Sequence, residues 1–130
     1  DTNNTLTQQL FAHALLRLDS AAAALGHARI SVATGPTRAA AARVLAASFV
    51  ALGQRDSALA VWPAFGARGG RSFERWLYQA STYAAVGMPD SARVAFDSAM
   101  VRAPTDSIAR LQIQEARRIL RAAGARPVLR

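Results

Sequence analysis

The chain lacks cysteine and lysine altogether. Without thiols there can be no disulfide framework, no thiol nucleophile and no thiolate metal site. All 16 basic residues are arginine, so the Gly66 to Gly70 stretch lacks the lysine that a phosphate-binding loop needs, and it lacks the following helix start as well. Histidine is scarce. His13 and His27 fall on different expected helices with no carboxylate at ligand spacing, which argues against zinc or iron. No Gly-x-Ser-x-Gly elbow or dinucleotide fingerprint occurs. Long apolar runs are missing too: Arg43 and Arg55 interrupt the most alanine-rich stretch, far short of the ~18 residues that cross a bilayer. No enzyme activity, cofactor, small-molecule substrate or membrane partner is expected.

What is present is alanine. Hydrophobic residues make up 52% of the 130 positions, but 31 of them are alanine and only 36 are larger. That balance suits thin, closely packed helices, because alanine fixes no side-chain rotamer on entering a helix. The length suits one domain with a real core. The opening Asp1 to Thr5 is polar and starts without methionine, as expected of a chain whose signal peptide or upstream domain has been removed, and an exported location is the expectation that follows.

Three segments align without gaps: Ala12 to Ala21, Phe49 to Ala58 and Tyr83 to Ala92, the second interval being slightly shorter than the first. Each reads as a helix end, a tight turn and a helix start. Gly53 and Gly87 suit a left-handed helix C-cap, and Asp19, Asp56, Asp90 and Asp106 suit the N-caps that follow. The third copy carries Trp76, Ala80, Tyr83, Ala92, Phe96, Ala99 and Pro104. One interval earlier, the second copy carries Ala42, Ala46, Phe49, Ala58, Trp62, Phe65 and Gly70. The first copy reads Gln9, Ala12, Ala21, Leu25 and Ala28, with about three extra residues around Thr34, Gly35 and Pro36.

This pattern of small and aromatic residues resembles the tetratricopeptide (TPR) family over roughly residues 2 to 106. The resemblance implies an all-α solenoid of three helix-turn-helix repeats, about 2–38, 39–72 and 73–106, within a single domain. A seventh, capping helix is expected over 107–123, with Ile108, Leu111, Ala116, Ile119, Leu120 and Ala123 on its packing face and an irregular tail at 124–130. Pro63, about two turns into its helix, is expected to kink or shorten it.

In relatives the first helix of each pair lines a concave groove. Here that implies Leu6, Leu10 and His13, then Arg43, Ala47 and Val50, then Leu77, Tyr78 and Ser81. Members that clamp a peptide's terminal carboxylate use Lys and Asn at such positions, whereas Ala47 and Ser81 stand there in this chain. The expected function is a non-catalytic scaffold for protein contacts. Head-to-tail self-assembly into an oligomer or filament is one form this could take, with Leu6, Leu10, Phe11 and Leu15 on an apolar first helix.

The net charge is +8, distributed as +4 over 1–72, −1 over 73–106 and +5 over 107–130. Arg110, Arg117 and Arg121 recur at i, i+7 and i+11, with Arg118 beside them. The alternative function is therefore an arginine-rich module that holds the phosphate backbone of single-stranded RNA, with Tyr78 stacking on a base.

Overall fold

The computed structural model describes residues 2–124. These residues form seven helices: α1 (Thr2–Arg17), α2 (Ala21–Thr34), α3 (Ala39–Ala51), α4 (Arg55–Ala67), α5 (Ser72–Ala85), α6 (Pro89–Met100) and α7 (Ser107–Ala122). The chain divides into two compact units, Asp1–Arg71 and Ser72–Arg130. In the first, α1 packs on α2 and α3, α2 on α3, and α3 on α4. In the second, α5 packs on α6, and both pack on α7. This is the sequential packing of a helical-repeat architecture.

The register of the first repeat differs from the expectation. The two intervals are equal, not one longer than the other, and the first repeat has no insertion. Asp19, Gly53 and Gly87 all take the left-handed conformation, with φ of 59°, 72° and 78°. The same bond closes each of these turns: Ser20 N–H donates to Leu15 O at 2.8 Å, Gln54 N–H to Phe49 O at 2.9 Å, and Met88 N–H to Tyr83 O at 2.9 Å. That is the Schellman arrangement. Asp19 therefore ends α1 and does not start α2; aspartate tolerates the left-handed region better than most residues with a side chain.

The core follows the same period. Ala12, Ala46 and Ala80 are buried, as are Ala24, Ala58 and Ala92, and then Ala28, Trp62 and Phe96. The first repeat is thus read from Gln8, Ala12, Leu15, Ala24 and Ala28, while Gln9, Ala21 and Leu25 fall out of step with the later copies. Pro36, Gly70 and Pro104 also share one position. In the first unit Val44 is buried with Ala12, Ala24 and Ala28, and Leu15, Leu16 and Leu45 pack around them. Trp62 meets Phe65 edge to face at 5.7 Å. Burying rings of this size stabilises by roughly 2–3 kcal/mol each.

The caps also differ from expectation. Asp106 accepts a bond from Ala109 N–H at 2.7 Å, which is worth about 1 kcal/mol. Asp56 and Asp90 sit inside the first turns of α4 and α6, and the N-cap positions are taken by Gln54 and Met88 without a side-chain bond. The two carboxylates act on the helix dipole instead. Helix α4 continues through Pro63 to Ala67 and is not shortened. Pro63 is exposed, so the amide it lacks is missing on the face where water can serve the freed carbonyl.

Along α7 the buried residues are Ala109, Ala116 and Leu120. Ile108 and Leu111, expected on the packing face, are 68% and 66% exposed. The helix is rotated so that Ala109, Ile113, Ala116 and Leu120, at i, i+4, i+7 and i+11, form the inner stripe. The tail expected to be irregular falls, beyond Gly124, outside the described residues.

Candidate functional site

In the first unit a cleft of about 430 Å³ is lined by α1 and α3. Its walls are Gln9, Leu10, His13 and Leu16 from α1, and Ala40, Arg43, Val44 and Ala47 from α3. A short side chain at Ala47 leaves the space, and Leu10, Leu16 and Val44 make most of it apolar. Arg43 supplies the one full positive charge on this wall. The Gln9 Oε1 atom beneath this surface is buried without a hydrogen-bond partner. Of the expected groove residues, Leu10, His13, Arg43 and Ala47 meet here. Val50 is half-buried on α3 and does not line the cleft.

In the second unit the expected groove residues part company. Leu77 is fully buried and Tyr78 is 7% exposed. The Tyr78 hydroxyl accepts a bond from Gln112 Nε2 at 2.8 Å, and the same amide donates to Glu74 Oε2 at 2.9 Å. Tyr78 thus belongs to a polar network that joins α5 to α7, and it is not an exposed platform for a base. Its burial removes the stacking role expected of it. Ser81 is half-buried. The buried hydroxyls of Ser48 and Thr82 bond within their own helices: Ser48 Oγ donates to Val44 O at 2.7 Å and Thr82 Oγ1 to Tyr78 O at 3.1 Å.

The arginines of α7 are not equivalent. Arg118 Nη2 donates to both Glu115 oxygens, at 2.5 and 2.6 Å. The hydrogen bond and the charge of Glu115 hold the Arg118 guanidinium above its ordinary pKa, and its charge is largely answered. Arg117 is half-buried, with its guanidinium carbon 5.8 Å from the centre of the Phe96 ring. Arg110 and Arg121 are exposed, with no acid partner among the described residues. The expected basic stripe therefore contributes two open cations.

On α1, Leu10 and Phe11 are 64% and 53% exposed, and Leu18, in the turn after it, is 73% exposed. Leu6 lies at the edge of exposure, and Leu15 is half-buried against the core. Phe11 stacks on His27 at 5.4 Å, and His27 Nδ1 is hydrogen-bonded to Gln8 Oε1 at 2.6 Å. These ties hold the Phe11 ring flat against α2.

Sequence reasoning missed Gln9, Leu16, Ala40 and Val44 as cleft walls, and it missed Gln112. The signal for Gln112 was available, because it stands one repeat period after Tyr78. Among the described residues no cluster of His, Asp and Glu could hold a metal ion, and no helix is long and apolar enough to cross a membrane. No protein-family model matches the chain, and no curated protein is significantly similar to it.

Proposed function

We propose that this chain is a tetratricopeptide-like, non-catalytic scaffold that binds an apolar protein segment carrying an acidic residue in the α1/α3 cleft. The observation that supports this most is the cleft itself, in which Leu10, Leu16, Val44 and Ala47 surround one arginine. The regular recurrence of buried small and aromatic residues supports the family reading, because small residues allow close approach within a helix pair and large ones fill the space beside it. An extended segment could lay aliphatic side chains on the apolar wall and set a carboxylate near Arg43.

A peptide-array selection followed by titration tests this. Peptides with an acid flanked by aliphatic residues should be enriched. Ala47→Trp should fill the cleft and weaken their binding at least tenfold, which corresponds to about 1.4 kcal/mol, while leaving the circular dichroism spectrum unchanged. No enrichment, or equal binding by the variant, would sink the reading.

A second reading, contact with the phosphate backbone of single-stranded RNA, rests on the exposed guanidiniums of Arg110 and Arg121. It is the weaker of the two, since Arg117 and Arg118 are engaged within α7's own surroundings and Tyr78 is buried.

A further inference from the structure

We infer that the pocket between α2, α3 and α4 is a binding site for a small aromatic carboxylate, a free molecule with an indole-sized ring and one anionic group. This site is separate from the peptide cleft, because α3 carries two different stripes. Ala40, Arg43, Val44 and Ala47 line the cleft with α1, whereas Arg38, Ala42, Leu45 and Phe49 line the pocket with residues of α2 and α4. Both α2 and α4 pack on α3, but they do not pack on one another. A space of about 290 Å³ stays open between them, at the small end of the range for ligand sites.

The repeat selects the ring. Ala42 stands one period before Trp76, and Arg68 stands one period before Arg102. In the third repeat the Arg102 guanidinium carbon lies 5.7 Å from the centre of the Trp76 ring. The second repeat keeps the arginine and lacks the indole. Phe65, at the position of Ala99, returns part of the lost volume, and the remainder is open. Leu45, Phe49, Val61 and Phe65 wall it. A flat ring placed among them buries apolar area and offers its face to Arg68, as Trp76 does to Arg102.

Charge selects the substituent. Arg38 is the N-cap residue of α3 and Arg68 the C-cap residue of α4. These two helix ends lie together, since a Cβ on Gly69 would stand 3.7 Å from Thr37 Cγ2. Both cations therefore stand at one end of the pocket. No acid lines it, and neither arginine has an acid partner among the described residues. Arg38 is half-buried, and its Nε is buried without a hydrogen-bond partner, so its charge is drawn partly out of water and left unanswered by the protein. A carboxylate at this end matches the guanidinium forks, and the ring it carries reaches the apolar walls.

Indoleacetate titrated into the whole chain, followed by NMR of the backbone amides, should give saturable shifts at Leu45, Phe49, Val61 and Ala64 with a Kd below about 1 mM. Indoleacetamide keeps the ring without the charge, and octanoate keeps the charge without the ring; each should bind at least about fivefold more weakly. Ala42→Trp puts the indole back beside Arg68 and should weaken indoleacetate binding by roughly tenfold or more, with helix content retained. If that variant fails to fold, Arg38→Gln and Arg68→Gln decide. Each should weaken indoleacetate at least about threefold, and Arg38→Gln should also erase its advantage over the amide. No saturable shift up to about 10 mM, or shifts centred on Leu10 and Ala47, overturns the proposal. So does equal binding of the amide or octanoate, or binding of N-acetyl-tryptophanamide as tight as that of indoleacetate, which would make the pocket a reader of peptide side chains. Ala47→Trp should leave indoleacetate binding unchanged, so this site and the peptide cleft stand or fall separately.

Discussion

Gln112 donates its side-chain amide to the Tyr78 hydroxyl at 2.8 Å, and the two residues stand one repeat period apart. The same position thus supplies both halves of a bond joining α5 to α7. Because Gln112 also donates to Glu74, one amide serves an aromatic hydroxyl and a carboxylate together. Gln112→Leu should destabilise the fold by about 1–3 kcal/mol, since it takes a donor from two part-buried acceptors at once. Tyr78→Phe should cost only about 1 kcal/mol. Urea denaturation of both variants measures the difference, and equal losses would show that the network acts through the tyrosine alone.

Asp19 is the one residue with a side chain, among those described, that adopts positive φ. Gly53 and Gly87 take its place in the later repeats. Asp19→Gly should therefore raise stability by up to about 1 kcal/mol, and Asp19→Ala should lower it by a similar amount, because the left-handed region costs alanine roughly 1–2 kcal/mol. Thermal melts of the two variants should move in opposite directions. A fall in both would mean that the aspartate side chain matters more than the backbone.

Gly70 is tight for a different reason. A Cβ placed there would lie 2.5 Å from Cδ2 and Cζ of Phe65, a ring that is itself buried against Trp62. Gly70→Ala should cost about 1–3 kcal/mol through overpacking. Gly26→Ala makes the control: a Cβ there meets nothing within 4 Å, it sits inside α2, and the change should stabilise by about 0.5–1 kcal/mol. Chemical denaturation of the pair should separate them in sign.

The basic side of α7 gives the remaining prediction. If polyanion contact matters, Arg110→Gln with Arg121→Gln should weaken binding to a single-stranded oligonucleotide and flatten its salt dependence by about two charges' worth of slope. Glu115→Gln should act the other way, because it releases Arg118 from its partner. Binding that ignores all three changes, measured by fluorescence anisotropy against salt, would remove α7 from any such role.

Much of this architecture was legible in the residues themselves. Trp76, Ala80, Tyr83, Ala92 and Phe96 are separated by intervals that put them on the facing sides of two helices, and the same intervals one period earlier announce a second pair. The first pair is hidden, because Asp19, Ser20 and Ala21 match Asp56, Ser57 and Ala58 letter for letter and suggest too long a spacing. Pro36, two periods before Pro104, carried the true register. A chance identity over one short stretch outweighed a backbone conformation that leaves only a weak trace in residue type.

Residue order by itself determined that the chain is helical and which small residues let its helices approach, because these depend on local propensity and on spacing along one helix. Only the tertiary structure decided which way each helix is turned. It buried Tyr78 against Gln112 and left Ile108 and Leu111 in water. A helix with apolar residues on more than one side can satisfy the spacing rules in several rotations, and the choice among them is made by the volume and polarity of the neighbours it meets.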